Sequence, residues 1–170
     1  MNYAVAIFPS KKLQDKVNSY RKRYDSNYPN IPPHLTLKAS FKADEAALHT
    51  IAEKLEGISK LYKPFTLKVL KTSTFQPVSN SLYFKVEQSD ELAGLHKTLN
   101  EDRLFGDPSP FSFVPHITIG QNMSDDEHSD VFGQLSMLDI RHEEEIDRFH
   151  LLYQLENGVW NVYETFRLGE

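Results

Sequence analysis

Two stretches decide how this chain is read. One is Pro32-Pro33-His34-Leu35-Thr36-Leu37-Lys38; the other is Val114-Pro115-His116-Ile117-Thr118-Ile119-Gly120. Both spell Pro-His-apolar-Thr-apolar. With seven His and eight Thr in 170 residues, chance supplies about 0.3 His-x-Thr triplets. The chain holds three. The third, His96-Lys97-Thr98, lacks the flanking aliphatic residues and falls within a helical pattern, so it reads as a surface coincidence. The other two are too alike to be accidental.

Their spacing has a geometric meaning. Side chains alternate across a strand, so His34 and Thr36 share one face while Leu35 and Leu37 share the other. The same holds for His116 and Thr118 against Ile117 and Ile119. Each stretch buries its aliphatic side and presents an imidazole and a hydroxyl about 6.6 Å apart on the opposite side. A proline fits at the first position of a strand, where no ladder hydrogen bond is lost. Lys38 falls on the His34 face and is a candidate substrate contact, or else an exposed strand-end lysine. Gly120 continues the face of His116 with no side chain, which would let a ligand approach the backbone.

The bulk composition is that of an ordinary globular chain, 39% hydrophobic and 25% charged, without cysteine. That excludes disulfides, a thiol nucleophile and Cys-type zinc sites. No apolar run approaches the ~20 residues of a membrane span. The first residues, MNYAVAIFPSKK, read as a strand rather than a leader peptide, so a cytoplasmic location is expected. The net charge of −5 is unevenly divided. Residues 1–85 carry 14 basic and 6 acidic residues, and residues 86–170 carry 5 and 18. An acidic total argues against tight binding along a long nucleic acid. A basic first half permits a local site for a small anion. The carboxylate-rich stretches Asp125-Asp126-Glu127-His128 and Glu143-Glu144-Glu145 have no ligand spacing and read as solvated helix or loop surface.

Hydrophobic periodicity predicts seven strands, at 3–8, 34–38, 64–71, 81–87, 114–119, 147–156 and 159–168. Four helices are interleaved with them, capped by Ser10, Asp44, Ser89 and Ser124. Asn157-Gly158 predicts a two-residue hairpin. The pattern is α+β, with a sheet at least partly antiparallel. The order of loop, motif strand and helix after Pro33 partly recurs after Pro115. This weak internal repeat fits two similar lobes around one cleft, within one domain spanning 1–170.

If both motif strands face that cleft, the residues match phosphodiester chemistry. One imidazole takes a proton from a nucleophile and the other gives one to the leaving oxygen. Two Thr hydroxyls donate to non-bridging oxygens as they gain charge. Nothing in this scheme needs a metal or a cofactor. A lone strand His is more often a packing residue; two in matched contexts point to chemistry. Phe41, Tyr83 and Phe113 read as core residues, or as platforms on which a base could stack.

The paired motifs PPHLTLK and VPHITIG, some eighty residues apart in an α+β chain of this length, resemble the two-histidine (2H) phosphoesterase superfamily. That group includes the 2′-5′ RNA ligase-like proteins and the cyclic phosphodiesterases. The segments PPHLTLKASF and VPHITIGQNM look closest to its small YjcG-like branch. The resemblance implies a bilobal, pseudo-two-fold fold with helices outside two sheets. It implies His34 and His116 as the catalytic pair, Thr36 and Thr118 as phosphate ligands, and no metal. It implies hydrolysis of a cyclic 2′,3′-type or 2′-5′ phosphodiester, with a nucleotide or an RNA end as substrate. RNA 2′-5′ ligase activity and a non-catalytic module that binds a nucleotide or phosphorylated metabolite are the alternatives. No membrane and no obligate protein partner is expected.

Overall fold

A computed structural model describes residues 1–169. Eight strands form two four-stranded antiparallel sheets. The first sheet joins β1 (Asn2–Ile7), β2 (Leu35–Lys42), β7 (Arg148–Gln154) and β8 (Trp160–Arg167) in the order β2-β1-β7-β8. The second joins β3 (Phe65–Thr74), β4 (Leu82–Val86), β5 (His116–Gly120) and β6 (His142–Ile146) in the order β5-β4-β3-β6. Each motif strand, β2 or β5, is therefore the edge of its own sheet.

Four helices cover the outer faces: α1 (Lys11–Tyr24), α2 (Glu45–Ser59), α3 (Asp90–Glu101) and α4 (Asp125–Leu135). Each starts where a side-chain oxygen accepts a backbone N–H three residues on. Ser10, Asp44, Ser89 and Ser124 do this for Leu13, Ala47, Leu92 and Glu127. Such a cap is worth ~1 kcal/mol. Two helices cross over. α1 leaves the first sheet to pack on β5, and α3 leaves the second to pack on β2. α2 and α4 stay with β7–β8 and β3. The exchange locks the lobes together and brings the two motif strands close.

Between sheet and helix lies one continuous apolar core that runs through both lobes. Val5, Ile7, Leu35 and Leu37 belong to it, as do Leu67, Phe84, Ile117 and Ile119. Phe41 lies in it as well, against Tyr3 and Phe105. The aliphatic residues of both motifs thus face inward, as their alternation requires.

Four sequence expectations are corrected. His128 is not solvated: it lies on the inner face of α4 at 1% exposure, with Nε2 2.7 Å from the Thr74 hydroxyl of β3. β6 is a strand, although Glu143-Glu144-Glu145 reads as helix or loop. It lies at an edge with one wet face, where Glu143 pairs with Lys68 at 3.5 Å. Glu144 is not solvated either: its carboxylate accepts the Ser10 N–H at the start of α1, at 2.9 and 3.0 Å. The final hairpin exists, but its connection runs over residues 155–159, with Gly158 at φ +90°. Gly120 serves packing: a Cβ there would lie 3.0 Å from both the Tyr24 Cβ and the Met123 Cε. It lets the end of α1 close on β5, where the Gln121 N–H donates to the Tyr24 carbonyl. Gly120→Ala is expected to cost about 1–3 kcal/mol by overpacking, read from a urea melt.

Candidate active site

The two motif histidines are held in the same way. The Nδ1 of His34 lies 2.8 Å from the Pro32 carbonyl, and the Nδ1 of His116 lies 2.7 Å from the Val114 carbonyl. A carbonyl can only accept, so in both rings Nδ1 carries the hydrogen. In the neutral imidazole this leaves Nε2 as a bare acceptor. The residue between each histidine and its carbonyl is a proline, Pro33 or Pro115, whose fixed φ stiffens the turn back to the ring.

Both rings are half-buried. Burial pushes both pKa values below the usual histidine range, and the carbonyl bonds push them back up. His34 is lowered further by the charges of Arg21 and His116, and raised by Asp25. The charge of His116 thus reaches His34 across the space between β2 and β5. Phe75 and Tyr83 set their edges around the His116 ring at 5.0 and 5.3 Å between centroids. They account for its desolvation and fix its plane.

Thr36 and Thr118 are half-buried on the same strand faces. Thr36 is opposite Ala6, Ala6 is opposite His150, and His150 is opposite Thr165, so all four share one face of the first sheet. His150 Nδ1 lies 2.9 Å from the Thr165 hydroxyl, with Phe8 against its ring. A depression of about 180 Å³ opens on this face, lined by His34, Thr36, Ser40, Leu152 and Trp160. A larger one of about 750 Å³ lies between Met1, Leu48 and Tyr163 and touches neither motif. Size alone does not locate the chemistry.

Lys38 is not beside His34. Between Ala6–Thr36 and Val5–Lys38 the ladder slips by one residue, a bulge that turns Lys38 off the motif face. Ala39 and Ser40 take its place there. The lysine is only 4% exposed. Its ammonium donates to Asn100 Oδ1 and to the Asp107 carbonyl, in the loop that leads into His116. Arg21 has the matching task in the other loop. At 2% exposure it pairs with Asp25 at 2.8 Å and donates to the Ile31 carbonyl at 2.7 Å, three residues before His34. Asp25 in turn accepts from Gln121, just past β5. One buried ion pair therefore ties both motif segments together.

Other residues also find their places. His96 stacks flat on Phe113 at 3.8 Å, and Thr98 shares a hydrogen bond with the Tyr62 hydroxyl. The third His-x-Thr triplet is thus structural, and Phe113 is occupied by His96. Tyr83 is buried beside His116 rather than free to stack. Phase in a strand or helix does not reveal Arg21, Phe75 or His150 as site neighbours, because only the pairing register brings them there.

The family model described as the 2′-5′ RNA ligase superfamily matches residues 9–158. A Bacillus licheniformis protein is 55% identical over 99% of both chains, and a Bacillus pumilus protein is 54% identical over 100% of this chain and 99% of its own. Both carry the name "Putative phosphoesterase". The fold matches a solved Thermus thermophilus protein with a TM-score of 0.74 at 18% identity, covering 99% of this chain and 98% of that one. It matches Escherichia coli LigT, solved with 3′-AMP, with a TM-score of 0.71 at 14% identity over the same shares. The chain belongs to the 2′-5′ RNA ligase superfamily, the two-histidine phosphoesterases. It is an enzyme of the phosphoesterase class.

Proposed function

We propose that this protein hydrolyses a cyclic 2′,3′-type or 2′-5′ phosphodiester by acid/base catalysis between His34 and His116. The observation that carries the reading is the matched pair of imidazoles, each with Nδ1 fixed on a carbonyl and Nε2 left for substrate. Water attacks phosphorus and a new P–O bond forms. One neutral imidazole takes the water proton. The other, as imidazolium, gives its proton to the departing ribose oxygen as that P–O bond breaks. A cyclic ester opens to a phosphomonoester with a free neighbouring hydroxyl, a 2′-5′ diester splits into a phosphomonoester and a separate alcohol, and solvent restores the two protonation states. Thr36 and Thr118 donate to the non-bridging oxygens. The substrate is a nucleotide-sized diester, in keeping with the 3′-AMP that LigT holds.

Phosphorus NMR of 2′,3′-cyclic AMP with the protein in EDTA tests this. Ring opening to the monoester is expected at an undiminished rate. Turnover that stops in EDTA and returns with added divalent metal would overturn the two-imidazole scheme. The family description favours testing one other reaction on the same site, ligation with a 5′-hydroxyl as nucleophile. An oligonucleotide with that end, added to the same assay, reads it directly.

The pKa directions set the pH dependence. Both imidazoles in the empty cleft lose their protons below the ordinary value of about 6.5. The competent free enzyme holds one proton between two rings. The kcat/KM profile is therefore a bell with its maximum on the acid side of 6.5, falling as pH rises through the upper apparent pKa. A bound phosphodiester anion resists loss of that proton, so the kcat bell lies at higher pH. A kcat/KM maximum above about pH 8 would contradict this.

A further inference from the structure

Residues directly opposite each other on paired strands share a face, with Cβ atoms about 5 Å apart. On the second sheet His116 is opposite Lys85, and Lys85 is opposite Lys71. One row thus runs from the site imidazole through two ammonium groups. Lys71 belongs to this row only because of a bulge. Val69 is opposite Val86 on the core side, and the register then slips so that Lys71 meets Lys85 instead. Without the slip Lys71 would share the phase of the buried Val69.

Like charges directly opposite on a sheet are destabilising. Lysines often guard exposed sheet edges against aggregation, but β3 and β4 are the two central strands of their sheet. Nor does a carboxylate neutralise the pair. Among the described residues no ion pair includes Lys71 or Lys85, and Glu143 on the neighbouring β6 is paired with Lys68. The first sheet has a comparable pair, Arg148 opposite Arg167. There Asp147 holds Arg148 through two hydrogen bonds, so less charge is left over. The uncompensated pair next to His116 calls for an anion from outside.

We propose that Lys71 and Lys85 form a second phosphate subsite, so that the substrate is a nucleotide-type diester carrying a further phosphate. The inference rests on the phosphodiesterase reading above and names its substrate class. The diester lies at the Nε2 atoms, and the additional phosphate lies one to two strands away, about 5–10 Å along the row. That is a separation spanned by a ribose. A lone inorganic phosphate could occupy the lysines but would not bridge to the histidines, so a bisphosphate should bind more tightly than its monophosphate.

Titration calorimetry with adenosine 3′,5′-bisphosphate and with 3′-AMP separates the cases. The wild-type protein should bind the bisphosphate at least about tenfold more tightly, the worth of one charge-assisted contact. In the Lys71→Gln/Lys85→Gln variant, with its fold checked by circular dichroism, that ratio should fall to within about twofold of one. Equal affinities in the wild type, a ratio preserved in the variant, or no binding of either nucleotide would overturn the subsite. Hydrolysis of 2′,3′-cyclic AMP is read separately. A ratio of one with hydrolysis intact removes the subsite alone. A tenfold ratio without hydrolysis keeps the subsite and removes the esterase reading.

Discussion

His34→Ala and His116→Ala are each expected to lower the hydrolysis rate by at least about 10²-fold, the usual worth of a positioned acid or base. The loss should fall in kcat, because proton transfer is needed in the transition state and not for holding the diester. Neither ring is fully buried, and each makes one hydrogen bond to a carbonyl of its own turn. The variants should therefore stay folded. The double variant should lose little more than either single one, since a base without its acid partner is already disabled. Initial rates on 2′,3′-cyclic AMP check this. A variant with unchanged kcat and a raised KM would assign that histidine to binding alone.

Arg21→Ala carries the largest stability effect. Arg21 and Asp25 are both almost wholly enclosed, with side chains 2% exposed. Removing the guanidinium leaves a buried carboxylate without its counter-ion, a loss of about 3–5 kcal/mol. At this chain length that lowers the thermal midpoint by roughly 10 °C. Activity should fall too, because Ile31 loses its donor and the turn holding His34 is released. Arg21→Lys should rescue little. A lysine cannot reach Asp25, Asn18 and the Ile31 carbonyl together, as the guanidinium fork does. Scanning calorimetry beside the rate assay reads both effects. A midpoint shift of less than about 2 °C would show that the ion pair is not a keystone of the site.

The sequence discloses some of this architecture and hides the rest for physical reasons. The paired Pro-His-apolar-Thr-apolar stretches reveal their faces because alternation is a local property, and Leu35, Leu37, Ile117 and Ile119 are buried as that alternation demands. The four caps at Ser10, Asp44, Ser89 and Ser124 are also local. Lys38 and Lys71 could not be placed that way. Each sits beside a bulge, and a bulge is set by what the partner strand does. The exchange of α1 and α3 between lobes leaves no periodic trace, so neither Arg21, which holds the loop before His34, nor Asn100, which holds Leu37 and Lys38 of β2, announces its task. β6 escapes notice because an edge strand with a wet face tolerates three consecutive glutamates. Gly120 lacks a side chain for the sake of Tyr24, a residue nearly a hundred positions earlier.

The central claim is that two imidazoles, each with Nε2 free, address one ligand. Nitrogen-detected NMR of the histidine side chains during a titration with 3′-AMP tests it most directly. Both His34 and His116 should appear as Nδ1–H tautomers in the empty protein, and both Nε2 signals should move together with a single binding constant. An Nε2–H tautomer at either position, or a ligand that moves only one of the two rings, would contradict the account.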